Sequence, residues 1–287
     1  MRTYDHRTFT AEGLAGTRER SISVCLPARN EAATIGPILE ILLPLRARGA
    51  IDQVVVVDDS TDGTGEIAER LGAEVHRQSD LLREYGPVRG KGDAMWRALS
   101  VLTGDVVCYL DADSEDFGEH FAVGLVGPLA RGEDVRFVKG FYRRPWKSGD
   151  RVASHGGGRV TELLARPLLE RFYPELARFH QPLAGEIAVR RDLLMRLPFA
   201  TGYAVDMALL IDAWRIVGMA GMAQVDLVVR QNQHQPLADL APMAAEVLAA
   251  VTSRLERDGL VLPSAGATAL VERPPMATLA AQPMLAE

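Results

Sequence analysis

Val106-Val-Cys-Tyr-Leu110 is an unbroken apolar run rich in β-forming residues, and it stops abruptly at Asp111-Ala112-Asp113. That composition suits a strand buried on both faces, the kind found in parallel sheets covered by helices. Side chains alternate along extended backbone, so Asp111 and Asp113 point to the same side. Two carboxylates at the end of a buried strand repel each other unless a cation lies between them. Hard oxygen ligands suit magnesium or manganese, which share their coordination with phosphate oxygens. One reading is therefore a metal site holding a diphosphate at the carboxyl end of a parallel sheet, the edge where open α/β sheets bind ligands. The other is an acidic surface turn.

The chain before this run repeats its logic. Ser21 to Leu26 is a first strand closed by Pro27, and a helix with apolar Ile35, Ile38, Leu39, Leu42 and Leu45 follows over about 32–48. Gln53 to Val57 is a second strand running into Asp58-Asp59-Ser60-Thr61, then a helix over about 64–71 and a short strand near Ala73 to His76. Strand, helix, strand, helix, strand in this order predicts a parallel, right-handed, Rossmann-like half-domain. No G-x-G-x-x-G follows the first strand, which argues against a dinucleotide cofactor. Gly86-Pro-Val-Arg-Gly90-Lys91-Gly92 is not a P-loop either: its spacing is short and Gly92 stands where Ser or Thr is needed. Lys91 between two glycines is placed to reach an anion, although a mobile surface lysine would read the same way. A helix over 93–102 returns the chain to the central strand.

The second half begins with a helix to about Arg131 and a strand over 136–139. A basic stretch follows, with Arg143, Arg144, Lys147, Arg151 and Arg159. Within it Gly156-Gly157-Gly158-Arg159-Val160-Thr161 opens a helix, offering free N–H groups and side-chain donors to a phosphate; a flexible hinge is the alternative. Further on come a turn at Gln181 to Glu186, a strand from Ile187 to Val189 and an apolar helix over 203–217. A strand over 224–229, a polar loop over 230–236 and an amphipathic helix over 237–257 complete the fold. Asp212 in the 203–217 helix reads as part of a solvated face.

Bulk properties exclude several classes. A net charge of −6 argues against nucleic-acid binding, and no apolar run is long enough for a membrane span. The opening Met1-Arg-Thr-Tyr-Asp-His-Arg lacks the apolar core of a signal peptide. Cys25 and Cys108 both fall in core strands, as expected of structural thiols in a reducing, cytoplasmic setting. Residues 1–20 read as a flexible N-terminal arm and 259–287 as a disordered tail. Between them, 21–258 is one α/β unit, with 21–116 for a nucleotide and 117–258 for an acceptor.

Seven runs in order give the chain a resemblance to a known family. They are Leu26-Pro-Ala-Arg-Asn-Glu31, Gly90-Lys-Gly92, Asp111-Ala-Asp113, Phe141-Tyr-Arg-Arg-Pro145, Gly156-Gly-Gly-Arg-Val-Thr-Glu-Leu163, Pro182-Leu-Ala-Gly-Glu186 and Gly202-Tyr203. Over about 20–258 the sequence resembles the GT-A glycosyltransferases, and among them the retaining glucosyl-3-phosphoglycerate synthases. The resemblance implies a GT-A fold with a mixed central sheet, a Mg or Mn cation, a UDP-sugar donor and a small anionic acceptor such as 3-phosphoglycerate. It implies that Pro27, Ala28, Arg29, Glu31, Asp59, Lys91, Asp111 and Arg230 hold the donor nucleotide. Asp113 and Asp111 would serve the metal, and Gly158, Arg159 and Thr161 the acceptor. Glu186 and Asp206 would meet sugar hydroxyls, with the Leu183 carbonyl beside the anomeric carbon.

The sequence departs from that pattern at the short Asp58-Asp59-Ser60-Thr61 turn, at Asp206 where glutamate is usual, and in the last loop. There Asn232 falls at the family's metal-binding histidine and His234 at an acceptor-contacting asparagine. In extended backbone the two point the same way, so His234 is expected as a metal ligand, with an acceptor contact or a plain surface position as the alternatives. The spare apolar face of the 237–257 helix predicts a homodimer. Rival functions are a sugar nucleotidyltransferase, which would need a Gly/Arg-rich loop after the first strand, and an inactive sugar-nucleotide sensor.

Overall fold

The computed structural model describes residues 1–132, 134–144, 146–148, 151–153, 158–231, 236–261 and 270–280, and of 146–148, 151–153, 237 and 280 the backbone alone. The first half runs β1 (Arg2–Asp5), α1 (Ala11–Thr17), β2 (Ile22–Ala28), α2 (Ile35–Ala47), β3 (Gln53–Asp58), α3 (Thr64–Leu71), β4 (Glu74–Arg77), α4 (Gly90–Ala98) and β5 (Val106–Tyr109). Next come α5 (Glu119–Val126), β6 (Phe137–Arg143), a hairpin of β7 (Trp146–Ser148) and β8 (Arg151–Ala153), α6 (Arg166–Phe172), β9 (Ile187–Arg190) and α7 (Arg191–Leu194). The last elements are β10 (Phe199–Ala200), α8 (Val205–Val217), β11 (Met222–Val229), α9 (Leu237–Arg257), β12 (Glu272–Arg273) and α10 (Met276–Ala280).

Eight strands form one sheet in the order β1-β11-β6-β9-β5-β2-β3-β4. The four at one end are mutually parallel, and so are β6, β11 and β1 at the other. Only β9 runs against its neighbours, pairing antiparallel with both β5 and β6. The sheet is therefore the expected mixed one, and the carboxyl ends of β2, β3, β5 and β6 share one edge. Alternation along each strand divides the core in two. Val24 and Leu26 of β2 face α1, α2 and α5, whereas Cys25 faces α4, α8 and α9. No helix among the described residues is long and apolar enough to cross a membrane.

Four local expectations need correction. Residues 1–20 are not a loose arm: β1 pairs in parallel with β11, and α1 follows, capped by the Thr10 side chain on Gly13 N–H at 3.0 Å. Phe9 packs so closely on Gly127 that a Cβ there would lie 2.2 Å from its ring. Four half-exposed strand residues carry no apolar run, so backbone pairing rather than pattern holds β1 in place. Of the supposed tail, 270–280 is ordered: β12 pairs with β10, and Trp96 Nε1 donates to the Pro274 carbonyl at 2.8 Å. Asp212 is buried, not on a solvated face; it accepts from Arg254 and Arg215 and ties α8 to α9. Finally, α4 begins at Gly90, so the Gly-Lys-Gly run is its first turn instead of a loop before it. Gly92 permits this, since a Cβ would come within 1.9 Å of the Ala200 carbonyl oxygen.

Candidate active site

Three strand ends and one helix start converge on a cavity of about 470 Å³. Pro27, Ala28, Arg29 and Glu31 reach it from the end of β2, Asp59 from β3, Lys91 from α4, and Asp111 and Asp113 from β5. The loop after β2 turns through Asn30 in the left-handed region, a residue type that tolerates it. Its N–H is bonded to Ser60 Oγ at 2.8 Å and its side-chain oxygen accepts from Thr61 N–H at 3.0 Å. Short polar links thus lash two strand-end loops into one wall. Gln78, Arg89, Gly202, Tyr203 and Glu246 close the far side.

Beneath the cavity lies a dense set of buried charges. Lys91 Nζ bridges Asp111 Oδ1 at 2.8 Å and Asp206 Oδ2 at 3.2 Å. Burial disfavours its charge, but the two carboxylates outweigh that and raise its pKa further. Arg230 lies against Asp111 Oδ2 at 3.1 Å and Glu186 Oε1 at 3.0 Å, and also ion-pairs with Asp113. Tyr142 donates to Glu186 Oε2 at 2.6 Å, and Arg144 donates to the Tyr142 oxygen at 2.9 Å. Burial acts to raise the pKa of Asp111, yet Lys91 and Arg230 hold it well below the usual carboxylate range. At Glu186 burial prevails over Arg230 and the shift is upward. Glu31 is pushed up to about 7, first by burial and then by the negative charge of Asp113.

Gly185 makes this packing possible. A Cβ at that position would lie 2.3 Å from Lys91 Nζ and 2.4 Å from Asp111 Oδ1. The turn that carries it, 181–186, also gives Gln181, Leu183 and Ala184 to a second, smaller hollow, where they meet Arg144, Gly158, Thr161, Glu162 and His180. Here the helical stretch after Gly158 widens into a π-type turn over Thr161–Ala165 before α6, a distortion frequent at functional sites.

Every residue expected for the donor lines the large cavity except Arg230, which lies under it, buried among the carboxylates. Glu186 and Asp206 are likewise in the buried layer, while Leu183, Gly158 and Thr161 sit at the second hollow. Arg159 begins the same helical stretch without lining the hollow. His234 and Asn232, with Gly156 and Gly157, fall outside the described residues. Sequence reasoning missed Tyr142 and Arg144 as site residues, although the 141–145 run pointed to them. It also missed Lys139, read only as the end of a strand. Lys139 is 1 % exposed, and its Nζ has no hydrogen-bond partner among the described residues; nor has Asp206 Oδ1. Burial lowers the Lys139 pKa to about 8, against the opposing pull of Asp206.

The donor set fits a hard divalent cation. Asp111 and Asp113 present carboxylate oxygens at the cavity, Asp113 with its side chain 41 % exposed, and the Arg230 guanidinium already lies against both. Two carboxylates with the remaining positions left to phosphate oxygens is a usual arrangement for such ions.

Known proteins share this architecture. The family model for glycosyl transferase family 2 matches residues 23–184. A glucosyl-3-phosphoglycerate synthase of Mycolicibacterium smegmatis is 42 % identical over 91 % of this chain and 90 % of its own length. The crystal structure of mannosyl-3-phosphoglycerate synthase from Rubrobacter xylanophilus superposes with a TM-score of 0.87 at 44 % identity, covering 97 % of this chain and 96 % of that one. Glucosyl-3-phosphoglycerate synthase from Mycobacterium tuberculosis, in complex with Mn2+, UDP-glucose and phosphoglyceric acid, gives 0.85 at 40 % identity over 97 % of this chain and 99 % of that one. On the fold, the strand-end cavity and these likenesses together, the chain belongs to glycosyl transferase family 2.

Proposed function

We propose that the protein transfers glucose from UDP-glucose to 3-phosphoglycerate with the help of a divalent cation, retaining the anomeric configuration. The observation that carries this reading is the turn 181–186. It sets Gly185 against Lys91 and Asp111 on the cavity side and Leu183 in the neighbouring hollow, so donor and acceptor would meet across one strip of backbone. Likeness to synthases that bind UDP-glucose and phosphoglyceric acid supports the same assignment.

In this reading Pro27, Ala28, Arg29, Glu31 and Asp59 hold the uridine end of the donor, and Asp113 with Asp111 holds the cation. When bound, Mn2+ or Mg2+ supplies positive charge against the leaving diphosphate. Lys91 adds a second cation there, prepositioned by Asp111 and Asp206, so little reorganisation is needed as charge develops. Asp206 Oδ1 is buried with no hydrogen-bond partner among the described residues, and in this reading a sugar hydroxyl supplies one. Both oxygens of Glu186 are engaged, by Tyr142 and Arg230, which orients it as a fixed acceptor and leaves it poorly suited to nucleophilic attack. Retention then calls for same-face attack, with the departing phosphate taking the acceptor's proton. Gly158, Arg159 and Thr161 hold the acceptor's phosphate and carboxylate. We also propose cytoplasmic residence and a homodimer, for which Leu248, exposed on α9, offers an apolar contact; light scattering tests the dimer.

A panel of UDP-glucose, UDP-galactose and GDP-mannose against 3-phosphoglycerate and related phospho-acids, read by mass spectrometry, tests the function. A hexosyl-phosphoglycerate formed from UDP-glucose only with metal is the expected result. Product from GDP-mannose alone would move the chain toward the mannosyl enzyme it also resembles. No product with any pair, despite UDP binding, would make it a sensor.

A further inference from the structure

The segment 81–89 brings Arg89 to the large cavity and leads into Gly90 and Lys91 of α4, and apart from one 3-10 turn over Arg83–Tyr85 it has neither strand nor helix to engage its backbone carbonyls. Two guanidinium groups supply most of its carbonyl partners. Arg97 donates to the carbonyls of Leu82 at 3.1 Å and Gly86 at 2.7 Å, and also to that of Leu81. Arg273, on β12 in the C-terminal segment, donates to the carbonyls of Tyr85 at 2.5 Å and Pro87 at 3.2 Å. Between them lies Asp93, fully buried, whose Oδ1 accepts from Arg273 Nε at 2.6 Å. Its Oδ2 accepts from Arg97 Nε and from the Arg89 N–H, both at 2.9 Å.

The same C-terminal segment holds the opposite lip. Thr201 N–H donates to the Val271 carbonyl at 3.0 Å, and Gly202 N–H to the Arg89 carbonyl at 3.0 Å. Arg273 also stacks 5.4 Å over the Trp96 ring, whose N–H is bonded to the next carbonyl along, Pro274. A residue 180 positions away from Asp93 thus completes the frame around the first turn of α4. An Arg suits this place because its planar fork offers several donors in fixed directions, which one ammonium cannot match.

We propose that Arg273 is a positioning residue for the donor cavity, acting through Asp93 and the 85–87 carbonyls to fix Arg89, Gly90 and Lys91. The proposal rests on the reading of that cavity as the nucleotide-sugar site. The C-terminal segment is then part of the donor apparatus although none of its described residues lines the cavity.

The full chain and its Arg273→Ala and Arg273→Lys variants test this by calorimetric titration of UDP with Mn2+, separate titration of 3-phosphoglycerate, and amide hydrogen exchange. Arg273→Ala should weaken UDP binding at least tenfold while 3-phosphoglycerate affinity stays within twofold. Exchange should accelerate over 82–92 with β2 and β5 still protected, and Arg273→Lys should fall between. UDP affinity within twofold of wild type would overturn the proposal. So would a parallel loss of UDP binding, 3-phosphoglycerate binding and protection throughout, since that describes general destabilisation. If Arg273→Ala does not fold, Arg273→Lys decides, with a threefold loss confined to UDP as the threshold. A wild-type chain that binds no UDP would instead overturn the donor reading, and this proposal with it.

Discussion

Two of the buried charge clusters in this molecule, around Asp212 and around Asp111, are built on different principles. Around Asp212 every oxygen is taken: Oδ1 by Arg215 at 3.2 Å and by Arg257, Oδ2 by Arg254 Nη2 at 2.7 Å and Nε at 3.1 Å. Around Asp111 the pairing is dense but incomplete. Lys139 Nζ, Asp206 Oδ1 and Arg144 Nε have no partner among the described residues, and a cavity of about 470 Å³ lies above. A saturated network joins helices. One that keeps donors and acceptors in reserve next to a cavity is costly to the apo fold, and perturbed groups collect at functional sites for that reason. In these two clusters full pairing goes with the joining of helices and leftover charge with the cavity.

The largest effect expected from breaking this contrast is at Asp113. Asp113→Ala should lower turnover at saturating Mn2+ at least a thousandfold, about 4 kcal/mol of barrier, with an unchanged melting temperature. Near-normal turnover would remove the residue from the metal site. Asp212→Ala should do the reverse. Leaving three arginines facing a lost carboxylate should cost about 3 kcal/mol of stability in urea unfolding, while turnover per folded molecule holds. Equal damage to activity would mean that the two clusters are one system.

Lys139 sharpens the comparison through pH. Its folded pKa of about 8 lies below the ordinary 10.5, so the unfolded chain binds more protons between those values and stability rises with pH across that window. The cost of burying its charge is fully present below pH 8 and fades toward 10.5. Lys139→Met should therefore stabilise the protein by about 2 kcal/mol at pH 7, with the gain shrinking by pH 10. A gain independent of pH would point to packing instead. The smallest effect concerns the acceptor side: Arg159→Ala should raise the 3-phosphoglycerate KM about tenfold, about 1.4 kcal/mol, and leave the UDP-glucose KM unchanged. Equal shifts in both KM values would assign Arg159 to structure.

The half of the site built from strand ends was legible because position and chemistry coincide there. Val106 to Leu110 announces a buried strand, and whatever follows such a strand in a parallel sheet must stand at its binding edge. Asp111 and Asp113 were read by that rule, whereas Pro27 and Asp59 entered as site residues through the family resemblance and line the same cavity. Lys139 was not, since its strand was recognised but not the depth to which it sinks. Asp212 was missed for a different reason, and Asp93 was read only as the start of a helix. An acid in an apolar helix reads as solvated until its partners are known, and those partners, Arg254 and Arg273, lie far along the chain. Helix α9 was placed over 237–257 as observed, because its apolar stripe is long and uninterrupted. Strand β1 has only four residues and no such stripe.

That short first strand also sets a timetable. Thr3 meets Gln224 across 221 residues, and β9 must slide in antiparallel between β5 and β6 before those two can share a sheet. At a synthesis rate of roughly 5–20 residues per second, the first strand waits roughly 10–40 s for its partner to emerge from the ribosome. Until β9 arrives β5 presents an open edge, and β6 keeps one until β11 pairs with it, each a template for pairing with other chains. Strands β2 to β5 can pair early, but the protein as a whole closes only with its last strands, and the nascent chain depends meanwhile on whatever shields those edges.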